Sequence, residues 1–358
     1  MGHGGAMSTA NETMSEASPG GGARNGLEQA RRAVLEGPAL GWEAPSRFGR
    51  PGLLARRALQ RAMRPYDMRQ REVDQALFGA ISQSAASAAS RIARLELMAR
   101  AARESANAVT LDPAEVIDAT TVAGPLWLNR ADTLVTPGIE SHGMYEAHVT
   151  ALMHRLLRPG MTFVDVGANI GYFSVLASKL VGPEGLVVAV EPGPANLALL
   201  RANLWRNACS NALVLPIAAY THRGHVQLVL NPEGGAGNWV QAGDVPAPSI
   251  LVPCAPLDEL LEGQRVDVLK TDAEGSDVQA IRGMEATIRR SAGITIVAEF
   301  WVEAYGGRGE APSEVLDYYS GLGLGKSLLR DTGEVEPTDD DGLLGLAGSV
   351  PFVNIVMA

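Results

Sequence analysis

The chain has few cysteines: Cys209 and Cys254 are the two in 358 residues. Their spacing suits neither a metal site nor a redox pair, which leaves two reduced thiols. Also missing is any run near the roughly 18 apolar residues that a membrane span needs. The opening "MGHGGAMSTANETMSEASPGGGARNG" has no apolar stretch behind a basic start. No secretory signal is expected there, and the expected compartment is the cytoplasm. Positive charge is scarce as well. The net charge is −10, and it is unevenly spread. Residues 1–110 hold roughly fifteen arginines against about ten acids, so the remainder is strongly acidic. An acidic main domain argues against general nucleic-acid binding, which draws on Lys and Arg to neutralise phosphates. What is present is a 46% share of hydrophobic residues, enough to bury a sizeable core.

Residues 1–26 are rich in Gly, Ser, Ala and Asn and read as a disordered tail. Residues 27–115 read as an Arg-rich helical extension, broken at Pro65. Within it Val73, Leu77, Ile81, Ser84, Ala88, Ile92 and Leu95 recur at steps of four or three. So thin a stripe suits packing against a partner, a second copy or the main body rather than an independent core. Its basic first half is either a solvated face or a peripheral membrane contact. From 116 to 358 the pattern is one domain. "YEAHVTALMHRLL" (145–157) reads as a helix. Strands are expected at 162–166, 186–190, 213–217, 266–271 and 294–300. Helices are expected at 171–181, 194–206, 276–290 and 312–321. Continuous apolar strands between amphipathic helices imply an α/β, doubly wound, mostly parallel sheet covered on both faces. "PFVNIVMA" reads as a last strand, antiparallel at the edge.

The first of these strands runs into Asp165-Val166-Gly167-Ala168-Asn169-Ile170-Gly171. Glycines let backbone N–H groups approach a ligand, and the helix that follows adds partial positive charge. A dinucleotide fingerprint is G-x-G-x-x-G. Here the spacing is G-x-N-x-G and a third glycine is missing. The next strand ends at Glu191, a carboxylate placed to accept both hydroxyls of an adenosine ribose or to cap a loop. The shortened turn with Asp165 at the strand end fits S-adenosylmethionine, which has no pyrophosphate to cradle. Asp165 would serve its ammonium group, and Gly167 would leave room for its chain.

Three separated stretches resemble the FkbM family of methyltransferases: "GMYEAHVTALMHRLLRPG", "FVDVGANIGYFSVLASKLVGPEGLVVAVEPGPANLALLRANLWRN" and "LDELLEGQRVDVLKTDAEGSDVQAIRGM". The resemblance spans about residues 120–358. It implies a class I methyltransferase (Rossmann-like) fold, with S-adenosylmethionine held by Asp165, Gly167, Asn169, Gly171 and Glu191. It also implies O-methylation of a sugar, glycan, glycolipid or natural-product hydroxyl. The family's K-x-D-x-E-G run stands here as Lys270, Asp272 and Glu274, and the Glu that often follows is replaced by Asp277.

A hydroxyl is a weak nucleophile, so methyl transfer to it needs a nearby base or a metal. Lys270, Asp272 and Glu274 alternate along an extended segment, so all three could face the cleft. Asp272 is the expected base and Glu299 a weaker candidate. No metal ligand set is assigned, although paired carboxylates leave a divalent ion open. His142 and Tyr145, with Glu146 and His148 beside them, precede the core and are placed to close over the acceptor. Asn238 and Trp239, in "GGAGNWVQAG", would line the acceptor side, unless the indole is buried under its loop. Two rival readings remain: a nucleotide-dependent oxidoreductase, and an adaptor in which the helical extension recruits a partner.

Overall fold

Leu-Val-Val-Ala-Val at 186–190 is buried at every position, as a strand covered on both faces must be. A computed structural model describes residues 114–231, 237–241, 248–307 and 309–358. All of them fall in one compact unit that runs from Ser90 to the last residue. The expected tail and nearly all of the Arg-rich extension lie outside the described residues.

The described part begins with a hairpin, β1 (Val116–Thr121) and β2 (Gly124–Asn129). Helices α1 (Val135–His142) and α2 (Ala147–Leu156) follow. Next come β3 (Thr162–Val166), α3 (Tyr172–Val181), β4 (Leu186–Val190), α4 (Pro194–Arg206) and β5 (Ala212–Leu215). Four short strands then form a separate sheet: β6 (Ala218–Ala219), β7 (Gly224–Val229), β8 (Trp239–Gln241) and β9 (Ser249–Ala255). The main sheet resumes after α5 (Leu257–Leu260) with β10 (Val268–Thr271), α6 (Asp277–Arg282), α7 (Glu285–Arg290) and β11 (Thr295–Phe300). It closes with α8 (Val302–Gly307), α9 (Pro312–Gly321), β12 (Lys326–Leu329), β13 (Val335–Pro337), α10 (Asp340–Ala347) and β14 (Val353–Met357).

The main sheet has the order β13-β12-β14-β11-β10-β3-β4-β5. From β11 to β5 the strands are parallel, and β14 enters antiparallel between β11 and β12. This is the class I methyltransferase arrangement. The last strand is therefore antiparallel, as its sequence suggested, but it is not the edge. Ile355, Val356 and Met357 are buried and need a neighbour on each side. The edge is β13, whose Val-Glu-Pro is exposed throughout and whose proline donates nothing to a further strand.

Successive side chains of a strand go to opposite faces, and the core divides accordingly. Val164, Val188 and Val190 pack with the helices of the second half, while Phe163, Val187 and Ala189 pack with α2, α3 and α4. Strand β2 stops at Asn129, and the Asp132 carboxylate accepts from the amides of Val135 and Thr136 and starts α1. The helix expected over 276–290 breaks at Gly283, where a Cβ would lie 2.1 Å from the Tyr220 carbonyl. The β6–β9 sheet was not anticipated, since its hairpins lie outside the strand–helix alternation. Among the described residues no helix is long and apolar enough to cross a membrane.

The β3–α3 turn is the tightest meeting point. Gly167 has φ +75°, and a Cβ there would lie 1.9 Å from the Asp272 carbonyl oxygen. Its missing side chain thus makes room for the β10 loop, not for a ligand chain as expected from the sequence. Left-handed strain alone costs on the order of 1–3 kcal/mol, and the backbone clash adds to it. Gly167→Ala is expected to lower unfolding free energy by at least about 2 kcal/mol in urea titration; an unchanged midpoint would contradict this packing.

Candidate active site

The amides of the glycine turn are turned inward. Those of Gly167 and Ala168 both donate to the Val190 carbonyl at 3.0 Å, and that of Gly171 to Ala168 at 2.8 Å. Asn169, left-handed at φ 49°, donates its amide to the Glu191 Oε2 at 2.9 Å. The other oxygen of Glu191 accepts from the Gly193 amide at 2.8 Å. The turn was expected to offer these amides to a ligand; it closes instead on the end of β4. Glu191 braces a loop, one of the two roles foreseen for it, and it also lines a cleft. Burial raises its carboxyl to about 7, against the pull of the Gly193 and Asn169 amides. A side-chain hydrogen bond from Asn196 also holds it.

The cleft, of about 660 Å³, opens at the carboxyl ends of β3, β4 and β10. One wall is Gly167, Asn169, Glu191 and Asn196; the facing wall is Ala218, Leu228 and Val240 of the small sheet. Tyr145, Asp272 and Glu274 complete it, with Asn238 beside Glu191. Asn238 also accepts from the Asn231 amide at 2.8 Å.

Beneath the cleft lies a charged layer. Asp165 and Lys270 are register partners on adjacent strands and so share one face. Asp165 accepts from the Ser174 hydroxyl at 2.6 Å, and its Oδ1 is buried without a hydrogen-bond partner. Lys270 is buried, 3.0 Å from Asp272, with its Nζ 4.7 Å from the centroid of the Phe173 ring. Burial by itself lowers its affinity for a proton, but Asp272, Glu146 and Asp165 outweigh burial and hold the ammonium charged. Burial raises the carboxyls of Glu146 and Asp165, and Lys270 opposes it in both. Glu146, at φ 41°, carries a buried Oε2 without a partner.

The alternation expected of Lys270, Asp272 and Glu274 therefore breaks down. Lys270 does not line the cleft, whereas Asp272 and Glu274 do. β10 ends at Thr271, and Glu274 is left-handed at φ 49°. Asp277 fastens this loop by accepting from the Thr271 hydroxyl at 2.8 Å and the Ala273 amide at 3.0 Å. Burial first, then the neighbouring Asp272, raise the Glu274 carboxyl to about 8. Glu299 is buried in β11 and lines neither cavity; burial and Asp272 push its carboxyl far up. Tyr145 lines the cleft, with its hydroxyl raised by burial.

A second cavity, of about 1110 Å³, shares Gly237, Val240 and Glu274 with the first. Trp239, Trp301, Glu303 and Leu134 line the rest. Trp239 is thus at a cavity wall, not sealed under its loop. His142 is exposed, bonded to Ser141 and facing the Gly138 carbonyl of its own helix, and it lines neither cavity. His148 pairs with Asn354. Sequence reading missed Asn196, Trp301 and Glu303. Trp301 follows the last residue of β11, and the tendency of ligand residues to gather past strand ends would have pointed to it. Among the described residues no group of three or more His, Cys, Asp or Glu is arranged to hold a metal ion.

Comparison with known proteins bears on the same region. A stretch of 94 residues is 34% identical to protein-L-isoaspartate O-methyltransferase of Methanopyrus kandleri, spanning 26% of this chain and 37% of that protein. A stretch of 54 residues is 44% identical to ribosomal RNA large subunit methyltransferase E of Acinetobacter baylyi, spanning 15% of this chain and 25% of that one. The chain thus covers well under half of each of these two relatives. The structure is similar to that of methyltransferase FkbM from Methylobacillus flagellatus, with 15% identity over 58% of this chain and 50% of that one and a TM-score of 0.37. The model of the methyltransferase FkbM domain matches residues 165–323. The match opens on Asp165 of the charged layer and runs past α9, so this part of the chain is similar to the methyltransferase FkbM domain.

Proposed function

We propose that the chain is an S-adenosylmethionine-dependent O-methyltransferase for a small hydroxylated acceptor, such as a sugar, a glycan terminus or a natural product. The observation that carries this reading is the position of Glu274 in the wall common to two adjoining cavities. One cavity suits the methyl donor and the other the acceptor. The donor set supports a cationic cofactor. Asp165, Glu146, Asp272 and Glu274 surround one ammonium that is itself neutralised. A pyrophosphate would meet these acids and find the amides of Gly167, Ala168, Asn169 and Gly171 already committed. That weighs against the oxidoreductase reading.

S-adenosylmethionine, when bound, supplies a methyl group on a positively charged sulfur. Glu191 would hold its ribose hydroxyls. Asp165 and Glu146 line neither cavity and would act on its ammonium group by charge, from beneath the cleft. The proton lost by the acceptor hydroxyl goes to Glu274. A base works best with a pKa near the working pH, and Glu274 at about 8 meets that condition. Asp272, expected from the sequence as the base, is tied to Lys270 and reads better as a positioning group.

Glu191→Ala removes a buried acceptor of charge-assisted bonds, each worth roughly 1.5–3 kcal/mol. Calorimetric titration with S-adenosylhomocysteine should show affinity weakened about ten- to a hundredfold; unchanged affinity would remove Glu191 from the cofactor site. Glu274→Gln should lower kcat by about 10²–10⁴ while leaving cofactor affinity within a few fold. A screen of hydroxylated acceptors by mass spectrometry supplies the substrate for that comparison. The rate of the unaltered enzyme should climb with pH and level off near 8, and the variant should lose that rise.

The same group links stability to pH. Its carboxyl is raised in the folded state from 4.5 to about 8. Its contribution to stability is therefore complete below about 4.5 and is lost as pH rises through about 8. Glu274→Gln should be near neutral in stability at pH 4.5. At pH 9 it should stabilise the protein by about 2–4 kcal/mol in urea unfolding. An equal effect at both pH values would contradict the raised carboxyl.

A further inference from the structure

The second cavity has a charge pattern that the proposed reaction alone does not require. Its wall carries the carboxylate of the exposed Glu303 and the carboxyl of Glu274, with the indoles of Trp239 and Trp301. No Lys, Arg or His is among the described residues that line it. Lys270, whose field reaches Glu274, lies in the charged layer and is engaged with Asp272 at 3.0 Å. Trp239 is steadied by its indole N–H, which donates to the Gln241 side chain at 3.4 Å. The Trp301 Nε1 is buried without a hydrogen-bond partner.

An acceptor bearing a phosphate or carboxylate would bring a second negative group against Glu303, with no cation to meet it among the described lining residues. A neutral sugar would stack on the indoles and give Glu303 hydroxyl hydrogen bonds, but no charge to balance it. A protonated amine gains from both kinds of wall at once. Carboxylates accept its N–H bonds, and the faces of indole rings attract cations. The volume suits a small molecule.

We infer that the second cavity binds a hydroxylated acceptor that carries a protonated amine, of the chemical class of amino sugars, with Glu303 and the two indoles selecting the charge and Glu274 facing the hydroxyl. This rests on the methyltransferase reading for the role of Glu274, but the preference for an amine does not. Anionic acceptors, nucleic acid among them, are disfavoured by the same wall.

The test uses the full chain and three probes that differ in charge: glucosamine, N-acetylglucosamine and glucosamine 6-phosphate. Binding is followed by tryptophan fluorescence and by saturation-transfer NMR, with and without S-adenosylhomocysteine. Glucosamine should bind about tenfold more tightly than either other probe. Glu303→Gln should shrink that preference to within about threefold while S-adenosylhomocysteine affinity stays the same. Trp301→Ala should weaken all three probes together. Equal binding of the N-acetyl form, tighter binding of the phosphate, or no binding of glucosamine at millimolar concentrations would each overturn the inference. Failure of S-adenosylhomocysteine to bind would count against the methyltransferase reading instead, because the amine preference is also read without it.

Discussion

Lys270 is the interaction on which the site depends. It stands in β10, an otherwise apolar strand, beside Asp165 in the register of β3. Burying one charge of this kind alone is prohibitive. Burying it among Asp272, Glu146 and Asp165 joins three segments of the chain through one ammonium. Removing one partner of such a buried set typically costs about 3–5 kcal/mol, because the charges left behind stay buried. The arrangement therefore ties the approach to α2, which carries Glu146, to the ends of β3 and β10. The roof of the cleft is held to its floor by charge, with the Phe173 ring closing the contact from α3.

A second constraint follows from backbone proximity. Two strand-end loops, after β3 and after β10, touch at Gly167 and Asp272, and only a residue without Cβ permits it. The amide of Asp272 donates to the Val166 carbonyl at 3.0 Å and continues the pairing of the two strands by one residue. The β10 loop then turns sharply through Glu274 and Gly275, both at positive φ, with Asp277 fastening it from behind. Left-handed backbone at a residue other than glycine is costly and persists where its surroundings over-determine it. Here it carries the Glu274 carboxyl off the line of β10 and into the wall between two cavities.

The small sheet gives the cleft its other side. Ala218, Leu228 and Val240 face the glycine turn, and Trp239 on the same sheet reaches the second cavity. The parallel sheet supplies the charged and polar groups, and the insertion supplies the apolar wall.

The sequence by itself determined the parallel strands β3, β4, β5, β10 and β11, the helical stretches between most of them and the location of the cleft. Apolar runs such as 186–190 can be buried on both faces only in a parallel sheet, and the glycine turn marks the first strand end. Asp165, Glu191, Asp272 and Glu274 were legible for the same reason, since each is an acid just inside or past an apolar strand. What only the tertiary structure decided is which of them a ligand can reach. Lys270, Asp272 and Glu274 alternate along the chain, yet a left-handed Glu274 and a buried Lys270 separate their roles. The inward bonding of the turn amides depends on Val190 and Glu191, on the neighbouring strand. The pairing of β14 between β11 and β12, the β6–β9 sheet, and the meeting of Trp239 with Trp301 join segments distant in sequence. Local pattern records which residues are apolar or charged, but the register of strands and the contact of loops are set by packing across the whole sheet.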